Sequence, residues 1–286
     1  MAITIRRAQP KDRKGIERIC TNTWGGWDYV PQYFSRWVRE KGFYVMLDGR
    51  KIIGLAKYTE LTPREFWLEG LRIDPACRSH GLGWKLSRFI MKRVLAEKPI
   101  SLRLTTGRRN RHSRAIIRRM GLRLLVSLYG RNGRVPRRTG KPDVFVPTPE
   151  AAYRYIRRTC EFRAAKGMLQ HTWQFYTITP KLMQELHARK RLFACGCNEN
   201  LRGLLIVQPG RYGTDRLDLS FIEGDRKALG EFHKQLALIA RRQKAKYLSG
   251  MAAGKSVLRH LGGLRLRPRH GKALVRHVMV YEYPLP

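Results

Sequence analysis

The sequence predicts an α/β fold of the α+β type: a mixed, mostly antiparallel sheet flanked by helices, followed by a second, degenerate copy of that arrangement. Three observations predict it. Strand-like and amphipathic runs follow one another in the order β-α-α-β-β-β-α-β-α-β through the first 130 residues. A glycine-punctuated turn, CRSHGLGWKL (Cys77 to Leu86), joins a strand to a helix. A similar order of elements then returns without the spaced glycines.

In chain order, ITIRRA (Ile3 to Ala8) alternates as a strand does. Pro10 and Asp12 open a helix running through Cys20, with Ile16 and Ile19 on one face. TWGGWDYVP (Thr23 to Pro31) is a loop, and YFSRWVREK after it is helical. FYVML, a turn at Asp48-Gly49, and KIIGLAKYTEL form a hairpin. FWLEGLRID is the fourth strand. Gly83 to Glu97 places Leu86, Phe89, Ile90 and Val94 along one helical face. SLRLTT is a strand, SRAIIRRMG a helix ended by Gly121, and LRLLVSLYG a returning strand.

RNGRVPRRTGKPD (Arg131 to Asp143) has linker composition and divides the chain into domains 1–145 and 146–286. Beyond it, helices are expected over Pro149 to Ala165 and Pro180 to Lys190, and LFACGCN with LRGLLIVQP makes a hairpin. RLDLSFIEGD is a strand, Lys227 to Gln243 a long amphipathic helix, KYLSGMAA a strand, SVLRHLGGL a helix and VRHVMVYEYPL a closing strand. Where the first copy has its glycine turn, the second has EGDRKALG (Glu223 to Gly230).

Composition bounds the function. A hydrophobic fraction of 43% suits a globular chain rather than a disordered one. No apolar run reaches membrane-spanning length and the start lacks a signal pattern, so a cytoplasmic protein is expected. The five cysteines include one close pair, C-x-C, which argues against a disulfide framework and a zinc site; they read as small buried hydrophobes, and no metal is expected. Lys and Arg number 59 against 21 Asp and Glu, a net charge of +38. Such a chain attracts polyanions: RNA, DNA, an anionic lipid surface or a polyphosphate cofactor. A solvated basic surface without a defined partner satisfies the same count.

The glycine turn is the sharper signal. Gly81 and Gly83 lack a Cβ, so backbone amides from about Ser79 to Trp84 can approach an anion, helped by the positive end of the helix that follows. Arg78 and Lys85 add charge, and His80 is suited to contact phosphate. Arg78-x-x-Gly81-x-Gly83 follows LEGLRIDP, and Asn110-x-x-Ser113 is followed by Met120-Gly121-Leu122. These three motifs, in this order, resemble those of the GNAT superfamily of acyl-CoA-dependent N-acyltransferases, over about the first 130 residues.

The resemblance implies a GNAT fold, with acetyl-CoA as co-substrate and its pyrophosphate at Arg78, Ser79, His80, Gly81, Leu82, Gly83, Trp84 and Lys85. It also implies cofactor contacts at Asn110 and Ser113, and main-chain pairing of Leu71, Arg72 and Ile73 with the pantetheine arm. The family's base on the fourth strand corresponds to Glu69, which alternatively binds a substrate cation or a structural arginine. Trp67 stands where some members carry the base instead. The family's general acid, a tyrosine, falls at Ile117, leaving water, Ser113, His112 or an unassisted thiolate. TWGGWDYVP with EGLRIDP further resembles the branch containing histidine N-acetyltransferases. There Trp27, Asp28 and Tyr29 would line an amine pocket, or dock a helix that Asp28 caps; Trp24 reads as an anchor.

Three functions follow. The first is acetyl transfer to a small amine, such as an amino acid. The second is acetyl transfer to an RNA- or ribosome-associated or acidic protein substrate. The third is a non-catalytic nucleic-acid-binding protein that keeps the fold.

Overall fold

The computed structural model describes residues 3–21, 23, 28–78, 80–137, 140–211, 215–268 and 277–285. The chain forms two compact units. The first holds Met1–Leu125, Gly271–Val275 and Met279–Pro286; the second holds Val126–His270 and Arg276–Val278.

The first unit opens with β1 (Ile3–Arg7) and a 3-10 turn at Pro10–Asp12 that leads into α1 (Arg13–Thr21). Asp12 belongs to that turn rather than to the helix. Buried, it accepts from the Gln9 amide (2.7 Å) and pairs with Arg6 (2.7 Å). Then come α2 (Val30–Arg39), β2 (Phe43–Asp48), β3 (Lys51–Thr62), β4 (Glu65–Ile73), α3 (Leu82–Ala96), β5 (Ser101–Gly107) and α4 (Arg111–Arg119). β2 shows why the sheet is covered on both faces. Phe43, Val45 and Leu47 pack with Ile16, Ile19 and Trp37 of α1 and α2, while Tyr44 and Met46 pack with Leu86 and Ile90 of α3.

β6 (Arg123–Arg134) begins the second unit, followed by α5 (Pro149–Arg158), α6 (Cys160–Ala164), the hairpin β7 (Met168–His171) and β8 (Gln174–Thr177), and α7 (Pro180–Ala188). Next are β9 (Leu192–Gly196), β10 (Leu201–Pro209), β11 (Arg216–Gly224), α8 (Arg226–Arg242), β12 (Tyr247–Ala252), α9 (Lys255–Gly263), the short β13 (Arg267–Pro268) and β14 (His277–Glu282). The expected helix over Pro149 to Ala165 is two helices, because Thr159 ends the first and caps the second at the Phe162 amide (3.2 Å).

The strands of each unit follow their own order. In the first, strands run β1-β2-β3-β4-β5, with β14 beside β5. Thr105 Oγ1 donates to the Met279 carbonyl (3.1 Å), the Tyr283 amide to the Leu102 carbonyl (2.9 Å), and Arg103 pairs with Glu282 (2.7 Å). In the second unit the order is β6-β12-β11-β10-β9. The units therefore part at Leu125, earlier than the 145/146 division expected from composition, and the closing strand contributes to the first unit. Arg131 to Arg134, expected to be linker, are strand residues paired with Tyr247 to Gly250 of β12. A partner strand outweighs the local Gly/Arg composition.

Two features of β4 shape the site. Its parallel ladder with β5 runs from Glu65–Ser101 to Leu68–Leu104 and stops, so the two strands part beyond Leu68. Against β3, Leu55 faces Arg72 and Lys57 faces Glu69, so two residues, Gly70 and Leu71, oppose Ala56 alone. This bulge needs Gly70 at φ +71°, where a Cβ would meet the Trp37 ring at 3.0 Å. It turns Leu71 and Ile73 toward α3 and sets Arg72 on the same face as Glu69.

Candidate active site

The turn after β4 is pinned from below. Buried Asp74 accepts from Arg18 (2.6 Å) and from the Ala76 amide (3.1 Å). Burial alone would push its carboxyl up, yet these partners hold it below the usual carboxylate range. Arg78 and His80 are exposed after it, while Ser79 lies outside the described residues.

Gly81 is the N-cap of α3, left-handed at φ +69°, and a Cβ there would meet nothing within 4 Å. It offers no side-chain cap, and the first helical turn carries no acid. The amides of Leu82, Gly83 and Trp84 precede the first intrahelical bond, from the Lys85 amide to the Gly81 carbonyl (3.0 Å), so they point out of an uncapped, positive helix end. Lys85 is exposed at this end, whereas Leu82 is buried in the core.

Gly83 also has a packing role. A Cβ there would stand 3.0 Å from Ile116 Cδ1, so this glycine lets α4 close onto α3. Trp84 packs on α4 too, with the Arg119 guanidinium 4.5 Å from its ring centre. Asn110 caps α4, accepting from the Ser113 amide (3.1 Å), which occupies the carbonyl oxygen of the Asn110 side chain and ties these two residues to each other. Ile117 is buried with Leu104, Met120, Leu122, Met279 and Tyr281. Tyr281 reaches this cluster from β14, and no local sequence signal could place it there.

On the opposite face of β4, Glu69 stands one residue past the end of the β5 ladder, half-buried, accepting from Thr59 Oγ1 (2.6 Å). Lys57 lies across from it on β3, almost fully buried. Its ammonium donates to the Lys41 and Tyr58 carbonyls (2.6 and 2.7 Å) and lies 3.4 Å from Glu40. Burial lowers the Lys57 pKa, offset in part by Glu40 and Glu69. Trp67 is core.

The Asp28 carboxylate is already engaged. It accepts Arg72 Nε and Nη2 (2.7 and 3.2 Å) and the Val30 amide (3.0 Å). Arg72 therefore balances the Asp28 charge from β4, and the Val30 amide ties Asp28 to the start of α2. Tyr29 lies with its ring 5.5 Å from the Arg72 guanidinium and edge-on to Trp37. Burial pushes its hydroxyl pKa up. Cys20 beside Asp28 is likewise pushed up, to about 12, mainly by burial. Trp24 and Trp27 lie outside the described residues. Cys20 and Cys195 are buried as expected, but Cys160 and Cys197 are exposed.

The second unit repeats the splayed strands: β11 and β12 pair in parallel from Arg216–Tyr247 to Leu219–Gly250. It does not repeat the open helix end. Asp225 caps α8, accepting from the Ala228 amide (2.8 Å), so a carboxylate sits where Gly81 leaves room in the first unit. Among the described residues no group of three or more His, Cys, Asp or Glu is placed to hold a metal ion. No described helix is long and apolar enough to cross a membrane.

A sequence model of the acetyltransferase (GNAT) family matches residues 16–122. The histidine N-acetyltransferase of Xenopus tropicalis is 34% identical over 95 residues, which is 32% of this chain; the chain spans 29% of that relative's length. A GCN5-related N-acetyltransferase from Sphaerobacter thermophilus superposes over 98% of this chain and 95% of its own, with a TM-score of 0.65 at 9% identity. A tandem GNAT protein from the clavulanic acid biosynthesis pathway covers 98% of both chains, with a TM-score of 0.61 at 11% identity. The splayed strands and the open helix end thus lie in the stretch, residues 16–122, that matches the acetyltransferase (GNAT) family model, and the chain as a whole is similar in fold to a tandem GNAT protein.

Proposed function

We propose that the first unit transfers an acetyl group from acetyl-CoA to the primary amine of a small molecule, such as an amino acid, by direct attack in a ternary complex. The observation that carries this reading is the uncapped N-terminus of α3 behind left-handed Gly81, open above the glycine, at the end of a strand that has already parted from β5. A pyrophosphate fits that opening, held by the first-turn amides, with Arg78 and Lys85 adding charge. The coenzyme supplies a thioester carbonyl activated toward amines. Leu71, Arg72 and Ile73, beyond the β5 ladder, offer main-chain groups to its extended arm. The carboxylate-capped α8 leaves the second unit without an equivalent donor site.

On the other side of β4, Glu69 binds the acceptor ammonium and takes its proton, directly or through water, freeing the nitrogen lone pair for attack. Ile117, in the core, brings no hydroxyl to the place of the family's tyrosine, and the departing thiolate takes its proton from water. Acceptor selection falls to Glu69 and its neighbours rather than to Asp28, whose charge Arg72 already balances. The likeness to a histidine N-acetyltransferase supports an amino-acid acceptor.

Calorimetric titration with acetyl-CoA, read beside thiol release against amino acids and polyamines, tests the proposal. One site per chain and thiol release with one amine class are expected. Failure to bind acetyl-CoA overturns it.

A further inference from the structure

The positive charge of the first unit is segregated. From Ile3 to Asp74 the chain carries 14 Lys and Arg against nine acids; from Pro75 to Leu125 it carries 14 against one, Glu97. In the earlier stretch five of the nine acids pair with an arginine of the same stretch: Asp12 with Arg6, Glu17 with Arg13, Asp28 with Arg72, Glu40 with Arg36 and Asp74 with Arg18. In the later stretch, Arg103 pairs with Glu65 and Glu282. Among the described residues, no side chain of α3 or α4 forms an ion pair.

The uncompensated cations have a pattern. On α3, Lys85, Arg88 and Lys92 stand at i, i+3 and i+7, all exposed. On α4, Arg111, Arg114 and Arg118 repeat that spacing, the outer two exposed and Arg114 half-buried. Each triplet lines one helical face over about 10 Å. The helices are neighbours, since Gly83 abuts Ile116, and Leu68 packs against the core clusters of both. The two stripes therefore lie on adjacent helices of the unit. Along each stripe like charges repel one another, and among the described residues no acid pairs with them. A single coenzyme at the α3 end reaches only its first turn.

We propose that the α3–α4 face of the first unit binds the phosphate backbone of a nucleic acid without reading its sequence. Arginine dominates the face, and its planar fork suits phosphate. A lipid surface fits less well. A membrane-lying helix turns an apolar face outward beside its cations, whereas no large apolar side chain of α3 or α4 is exposed among the described residues. Neighbouring aromatics do not stand free for base stacking, as Trp84 is covered by Arg119. Affinity should therefore rest on charge and fall steeply with salt.

The test compares two triple charge reversals of equal size in the full chain. One is Arg88→Glu/Lys92→Glu/Arg118→Glu; the other, in the second unit, is Arg158→Glu/Lys181→Glu/Arg242→Glu, all exposed positions. Binding to a fluorescent single-stranded RNA and to a DNA duplex is followed by anisotropy across salt concentrations, with anionic vesicles and polyglutamate as competitors. The first triple should weaken binding more than tenfold and reduce the slope of log affinity against log salt by about 2. The second should stay within twofold of wild type. Equal weakening by both triples would mean a diffuse polycation and overturn the proposal, as would wild-type binding by the first. Displacement by vesicles or polyglutamate as effective as by nucleic acid at equal charge would also overturn it. Acetyl-CoA titration of the first triple keeps this outcome separate from the transferase reading, because none of its residues lies in the turn.

Discussion

The contrast between Gly81 and Asp225 can be turned into one substitution, Gly81→Asp. In the second unit a carboxylate caps the helix at the corresponding place, accepting from an amide of the first turn at 2.8 Å. In the first unit the space above Gly81 is open, so an aspartate there has room. Two local effects on stability oppose each other. A non-glycine residue at φ +69° costs about 1–2 kcal/mol, less for aspartate than for most. A new N-cap returns only a few tenths of a kcal/mol relative to glycine. The melt should therefore fall by only a few degrees. Binding should not survive. A carboxylate about 4 Å from a pyrophosphate charge is repelled by about 4 kcal/mol at an effective dielectric of 20, which is about three decades of affinity. The carboxylate also competes for the amides the phosphates need. Calorimetry with acetyl-CoA measures the loss, and a thermal melt measures the fold. A Gly81→Asp protein that melts normally and binds acetyl-CoA within threefold of wild type would falsify the assignment of the anion to this helix end.

Other expectations follow from the same geometry. Glu69→Gln should lower kcat by about 10²–10⁴ with the acetyl-CoA Kd unchanged, because Glu69 faces away from α3; steady-state kinetics beside calorimetry separate the two. Asp28→Asn should cost about 3 kcal/mol in urea denaturation, since it leaves the largely buried Arg72 guanidinium without its counter-charge. If it changed only KM, Asp28 would be an acceptor ligand after all. In the second unit, burial pushes the Glu161 carboxyl up to about 7, against the pull of the Ala253 and Gly254 amides that it accepts. The folded state then holds a proton that the unfolded state has released. Stability should be greatest below the ordinary carboxyl range and fall by about 3 kcal/mol as pH rises through 7. Unfolding of wild type and Glu161→Gln between pH 4 and 8 checks this: the variant should lose the slope.

Much of the first unit was readable from residue order because its signals are local. Alternation in FYVMLD, the i, i+3, i+4 pattern around Leu86 and Ile90, and a glycine at the head of a helix each report on their own neighbourhood. What residue order hides is set by partners distant in sequence. The pair that balances the Asp28 charge joins residues 44 apart. Arg131 to Arg134 looked like linker because their strand partner lies beyond residue 246. The packing role of Gly83 is hidden because nothing in a strand-turn-helix pattern shows that Ile116 leans on it. The β7–β8 hairpin was missed altogether, for its strands are only four residues each. Gly70 was available as a signal, since a glycine inside a strand often marks a bulge. Its consequence, Arg72 sharing a face with Glu69, still required the pairing with β3.

The return of β14 to the first unit sets an order of events during synthesis. Thr105 and Met279, joined by a hydrogen bond, are 174 residues apart. When α4 has left the ribosome, β5 still lacks the neighbour that will shield its outer edge, and so does the cluster around Ile117 that Met279 and Tyr281 complete. The half of the chain that carries the proposed chemistry is made first and finished last. Until residues beyond 276 emerge, it must wait with an open strand edge, exposed to premature pairing and to chaperones. No acetyl transfer is expected from a nascent chain, however much of the glycine turn is already in place.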